Sequence, residues 1–195
     1  MRGQAHTLEA TVAALLLLTS LIFALQMTAV TPLSASTSSQ HIENQQQAVG
    51  QGVLATAART DSLKPAVLYW NNSTREFHGA NEDLGYYTSA PPNNTFGGML
   101  ERSFNDEGIA YNVYLRFQNL DGESITRRYV YNGVPSDNAV TATRTITLVD
   151  SDPLYDEDGV PTATRLRTEN VTYPIPDTGD NLHNTVRVEV VAWRI

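Results

Sequence analysis

The sequence predicts an α+β chain: a long N-terminal α-helix of membrane-spanning length, followed by a mostly antiparallel β-sheet head with one short helix. Three observations carry that prediction. Residues 10–40 hold no charged side chain, and residues 10–25 are more apolar than any later segment. From Lys64 onward, β-branched and aromatic residues alternate between turn signals, the pattern of half-buried strands. Between these textures an apolar stripe recurs at helical spacing.

The first helix is read over residues 7 to about 30. Residues 10–30 make about 31 Å of helix at about 1.5 Å per residue, close to the hydrocarbon thickness of a bilayer. Thr11, Thr19, Ser20 and Gln26 interrupt the run, but hydroxyls can bond back to helix carbonyls. Pro32 lacks an N–H and should kink or end the helix. Residues 34–39 are small and hydroxyl-rich, suited to a linker or a loose helical turn. Ile42, Val49, Val53 and Ala57 then recur at spacings of seven, four and four. That stripe predicts a helix over 40–59; the alternative is a flexible stalk. Gln45, Gln46, Gln47 and Arg59 would fill its wet side, while Gly50 and Gly52 weaken it.

In the head, residues 67–70 read as a short strand, with a turn at Asn71, Asn72 and Ser73 and a return over 75–78. Pro91 and Pro92 break the chain. Phe96, Met99, Leu100 and Phe104 fall at helical offsets, so residues 95–105 predict a short helix that Gly108 ends. Ile109, Tyr111, Val113, Leu115 and Phe117 share one face of a strand. Asp121-Gly122 signals a hairpin, residues 125–131 return, and Asn132-Gly133 marks another turn. Residues 140–149 are Thr-rich and suit a pleated surface. Residues 150–161 read as an acidic loop and 162–173 as a further strand. Residues 185–195 close the chain, with Val186, Val188, Val190 and Ala192 on one face.

The organisation expected is therefore a short basic segment at 1–3 and a hydrophobic helix at 4–31 that lies in a membrane or a helix bundle. An amphipathic helix or stalk follows at 32–62, then an extracellular β-rich head at 63–195. The composition bounds the function. Asp and Glu number 21 against 13 Lys and Arg, and Lys64 is the sole lysine. Such an acidic, lysine-poor balance looks like that of proteins from halophiles. It argues against a nucleic-acid partner, which demands a basic footprint. With no cysteine, disulfides and thiolate metal sites are excluded. Arg2 and the terminal amine, with His6 as a helper, place the N-terminus in the cytoplasm and the acidic remainder outside.

Arg2-Gly3, then Gln4, then Glu9 at the mouth of an apolar helix resembles a type IV pilin-like protein of archaea. The wording around residues 2–10 is also similar to small uncharacterised membrane-anchored surface proteins of haloarchaea. The pilin resemblance implies cleavage by a prepilin peptidase after Gly3, with Gln4 as the mature N-terminus. It implies that the apolar helix is retained, that Pro32 bends it, and that its second half covers one sheet face. It further implies membrane lipid, copies of the chain or other pilin-like subunits, and an assembly machinery with its ATPase as partners. Two departures stand: Glu9 would be sixth in the mature chain where pilins usually have it fifth, and the leader is three residues long.

Glu9 has a physical argument of its own. A carboxylate at the edge of hydrocarbon is costly unless partnered. In a staggered bundle the free amine of a neighbour's Gln4 could pair with it and set the helix register. The other reading leaves Glu9 solvated among headgroups.

Asn71, Asn72, Asn93 and Asn170 each open an Asn-x-Ser/Thr acceptor sequence, so they are candidate glycosylation sites or ordinary turn asparagines. Residues 150–159 could gather a hard cation, but their spacing does not match an EF-hand and a solvated acidic loop is expected. His6, His41, His78 and His183 show no metal-ligand spacing. No Gly-x-Ser-x-Gly elbow or phosphate loop is present, and Trp70 and Trp193 read as core. No catalytic residue, metal or cofactor is expected.

The expected function is that of a structural cell-surface protein, a pilin-like subunit held or assembled through its helix and serving in adhesion. Burying such a helix would remove well over about 1,000 Å² of apolar surface from water, at about 25 cal/mol per Å². Lipid already covers that surface before assembly, so assembly itself gains less. The alternatives are a single-pass membrane-anchored binding module that never assembles, and a secreted domain cut near Ser34, Ala35 and Ser36.

Overall fold

In the computed structural model the backbone is described over residues 2–194, and side chains within the first helix over 6–26 and from 40 onward. The chain divides into two compact units, Met1–Ile42 and Glu43–Ile195. Helix α1, Arg2–Arg59, contributes to both.

In the first unit the apolar residues build an uninterrupted helix, because the hydroxyls inside it turn back on the backbone. Thr11 Oγ1 donates to the Thr7 carbonyl at 2.6 Å, and Thr19 Oγ1 to that of Leu15 at 2.8 Å. Pro32 was expected to kink or end the helix, yet the helix does not end there and residues 34–39 are helical too. A proline removes one hydrogen bond and crowds one carbonyl, at a cost of about 3 kcal/mol, and the helix runs on through it.

In the second unit the last part of α1 turns Gln46, Gly50, Val53, Leu54 and Ala57 inward. Two expectations are corrected here. Gln46 is buried rather than on the wet side, and Gly50 is a packing position. A Cβ on Gly50 would lie 3.0 Å from the Ala142 Cβ, whereas one on Gly52 meets open space. The helix closes in a Schellman motif. Ser62 N–H donates to the Ala57 carbonyl and Asp61 N–H to that of Ala58, with Asp61 left-handed at φ 52°.

Helix α2, Leu63–Val67, follows. It takes in Val67 of the strand expected over 67–70, and Leu68 is its C-cap; Pro65 fits the first helical turn, and Leu63, Ala66 and Val67 are buried. Tyr69 makes a single parallel bridge to Tyr155, and the first strand, β1, Trp70–Asn71, pairs with β2, Glu76–Phe77. Helix α3, Thr95–Leu100, begins where Asn94 Oδ1 accepts from Gly97 N–H at 2.9 Å. It runs into a π-helical turn, Glu101–Asn105, and Gly108, at φ 67°, redirects the chain into the sheet.

The main sheet has four antiparallel strands: β3 (Ile109–Gln118), β4 (Ser124–Tyr131), β5 (Val140–Val149) and β8 (Leu182–Arg194), in spatial order β4-β3-β8-β5. Tyr111, Val113, Leu115 and Phe117 of β3 and Val186, Val188, Val190 and Ala192 of β8 are buried on one face with Val53, Leu54 and Ala57. The opposite face carries Arg116, whose guanidinium donates twice to the Glu189 carboxylate at 2.8 and 3.0 Å. The segment read as a loop over 150–161 contains β6, Pro153–Tyr155. Its partner β7, Pro161–Arg165, is the only strand in the stretch 162–173.

Trp70 and Trp193 are buried, as core residues should be. The Trp70 ring meets Phe77 edge-on at 5.1 Å and Tyr173 at 5.8 Å, and its N–H donates to the Thr172 carbonyl at 2.9 Å. Each T-shaped pair adds about 0.5–1.5 kcal/mol beyond area burial.

Candidate functional site

Two regions can do more than hold the fold. The first is the apolar part of α1. His6–Gln26 is long and apolar enough to cross a membrane, and none of it is buried. Leu8, Leu15, Leu16, Leu17, Leu18, Leu21, Phe23 and Leu25 are exposed, Leu17 at 72%. Soluble proteins rarely expose an apolar patch of that extent. Glu9 is exposed at the head of this segment, with His6 Nδ1 3.9 Å from its Oε2. The side chains of Arg2, Gln4 and Pro32 lie outside the described residues, so the processing and bending roles expected of Arg2, Gly3, Gln4 and Pro32 rest on the sequence.

The second region lies where β5, β8 and the acidic segment after β5 meet. Asp152 is a structural residue. It receives Nζ of Lys64 at 2.7 Å and the Val149 N–H at 2.8 Å. Asp156 closes its own turn by accepting from the N–H groups of Asp158 and Val160.

Asp150 behaves differently. It is buried beside His183, with the two residues each 4% exposed and Asp150 Oδ1 3.7 Å from His183 Nδ1. Neither of those atoms has a hydrogen-bond partner. On the far side of the ring, Nε2 meets the Ile175 carbonyl at 2.8 Å. The exposed Asp177 supplies a third donor, and the three ligand atoms lie within 4.8 Å of one another. Local sequence explains the convergence. Leu148 pairs with Asn184 and Val149 with Leu182, which leaves His183 as the extra residue of a β-bulge, a device that re-aims a side chain. Thr178 N–H and Oγ1 both reach the His183 carbonyl, at 2.8 and 3.0 Å, and this holds the Asp177 loop against the strand.

Sequence reading passed over this cluster. It found Asp150 within an acidic run and His183 alone, and the contact between them depends on a bulge that no spacing announces. A signal was available in the pair Asp177 and His183, six residues apart around the turn-forming Gly179 and Asp180.

The candidate glycosylation sites fall into two groups. Asn93 and Asn170 are exposed, and Asn170 is left-handed at φ 69°. Asn71 and Asn72 are half-buried in the β1–β2 turn. Asn71 Oδ1 accepts from the Ser73 and Thr74 N–H groups. Asn72 Oδ1 accepts from Thr172 N–H at 2.8 Å while its Nδ2 donates to the Asn170 carbonyl at 3.4 Å.

Burial raises the pKa of Tyr87, Tyr111, Tyr129 and Tyr173 above the ordinary phenol value. Three of these hydroxyls are framework donors: Tyr87 reaches the His78 carbonyl at 2.8 Å, Tyr129 that of Ala66 at 2.6 Å and Tyr173 that of Val67 at 2.7 Å. Burial also lowers the pKa of Arg127, whose guanidinium lies 5.9 Å from the ring centres of Trp70 and Phe77.

Residues 2–192 match the profile of a family described as a family of unknown function, DUF7288. The chain belongs to the DUF7288 family. That match takes in both the apolar helix and the β-rich unit, so the two are features of one DUF7288 architecture. No curated protein and no solved structure matches the chain.

Proposed function

We propose that this DUF7288 chain is a pilin-like cell-surface subunit, anchored in the membrane or assembled into a filament through His6–Gln26, with the β-rich unit outside the cell and serving in adhesion. The observation that carries the proposal is the ring of bare leucines on that segment, exposed all round. Lipid or neighbouring copies of the same helix would cover it, and both keep backbone polar groups paired within the helix. The Arg2-Gly3-Gln4 sequence followed by Glu9 favours a processed, pilin-like helix over a plain anchor. Once cut after Gly3, the chain would present the Gln4 amine to Glu9 of an adjacent copy.

N-terminal sequencing of the mature protein tests this. A start at Gln4 is expected, and a Gly3 substitution should retain the leader and remove surface filaments. A start at Met1 with the chain still in the membrane would support the non-assembling anchor instead. A soluble product starting near Ser36 would overturn both.

A further inference from the structure

We propose that Asp150, Asp177 and His183 form a binding site for a divalent first-row metal ion, and that zinc is the ion the donors fit. The argument starts at the His183 ring. A carbonyl oxygen can only accept, so the Nε2 atom facing Ile175 at 2.8 Å carries a proton. In the neutral ring Nδ1 is then a bare lone pair. It faces Asp150 Oδ1, a second acceptor, at 3.7 Å, with both atoms buried and neither hydrogen-bonded. Two acceptors turned toward each other away from water are unfavourable, since buried polar atoms are nearly always satisfied. A cation between them satisfies both.

The spacing agrees. Zinc bonds to nitrogen and oxygen are about 2.0–2.2 Å, so a tetrahedral site places its ligand atoms about 3.4 Å apart. The Asp150–His183 separation of 3.7 Å is close to that and too long for a hydrogen bond. Asp177 is exposed; its Oδ1 accepts from Gly179 N–H at 2.9 Å, so its other carboxylate oxygen is the one that closes the remaining distance. The Ile175 carbonyl on Nε2 is the outer partner that metal-bound imidazoles usually have, fixing tautomer and ring orientation. Calcium and magnesium prefer oxygen-only shells, whereas an imidazole with two carboxylates suits zinc. The site opens to water on the Asp177 side, which leaves a fourth position for solvent. Bound metal would tie the loop around residues 177–180 to the ends of β5 and β8.

The test uses the full chain in detergent micelles, stripped with a chelator and titrated with zinc. One zinc per chain and a zinc-dependent rise in melting temperature are expected. Asp177→Asn, on the exposed side, should leave the melting temperature of the stripped protein unchanged and weaken zinc binding at least tenfold. His183→Gln should abolish binding if it folds. The nitrogen-15 shift of His183 Nδ1 in wild type should move to a metal-bound value on adding zinc. Absence of a zinc-dependent rise in wild type, or a doubly protonated His183 in the presence of zinc, would overturn the proposal. Equal zinc affinity in wild type and Asp177→Asn would do the same.

Discussion

Leu17 and Leu54 belong to the same helix, α1, yet Leu17 is 72% exposed and Leu54 only 1%. The helix itself is the same object at both places, with the same backbone bonds. What differs is the company. Around Leu54 the chain supplies its own cover, with Val53, Ala57 and the β3–β8 face in one cluster. Around Leu17 the described residues supply none, so the medium or another molecule must. Helix formation and helix burial are separate problems, and among the described residues of α1 the second is solved at Gln46, Gly50, Val53, Leu54 and Ala57 but not along His6–Gln26.

The largest expected effect separates the two regions by alkali. Tyr69 is the first tyrosine in the sequence, so the apolar segment has no phenol to ionise. In the β-rich unit, burial raises the pKa of Tyr87, Tyr111, Tyr129 and Tyr173. Below about pH 10 both folded and unfolded states hold these protons. Above it the unfolded state releases them while the folded state keeps them, so stability falls as pH rises. The last tyrosinate absorbance to appear should therefore coincide with loss of the β signal in circular dichroism, while helical signal in micelles persists. Ionisation of all nine tyrosines with the sheet intact would break the comparison.

Next in size, Leu54→Ala should destabilise the β-rich unit by about 2–5 kcal/mol, as buried leucine truncations do. Leu17→Ala should leave its urea midpoint in place. Conversely, Leu17→Arg should weaken membrane insertion by about 3–4 kcal/mol, read as the membrane fraction after alkaline carbonate extraction, with no change in that midpoint. The smallest effects come from the two glycines. Gly52→Ala, pointing into open space, should stabilise by up to about 1 kcal/mol through helix propensity. Gly50→Ala should lose that gain or reverse it, because its methyl would press on Ala142. Equal responses in thermal melts would show that the helix does not pack there.

These contrasts also explain what the sequence made legible. Strands β3 and β8 could be read because one face is buried along their whole length, and alternation records that directly. The π-turn at residues 101–105 lies within the helix expected over 95–105, since Phe96, Leu100 and Phe104 are all core residues. Gly50 looked like a weakness because the need for a missing side chain exists only when another element comes close. Residues 67–70 misled because one apolar run serves the end of a buried helix at Val67, a turn at Leu68 and a strand start at Trp70, and hydrophobicity alone does not divide it. The Asp150–His183 pair was hidden because one bulge residue changes which side chains meet.

The ion pair of Lys64 with Asp152 has a practical consequence. It engages the chain's one side-chain ammonium, half-shielded in a 2.7 Å contact. Amine-directed acylating reagents should label the outer surface poorly, and lysine cross-linkers should report almost nothing about neighbouring subunits. Carbodiimide coupling through the plentiful carboxylates is the chemistry that would map what this protein touches.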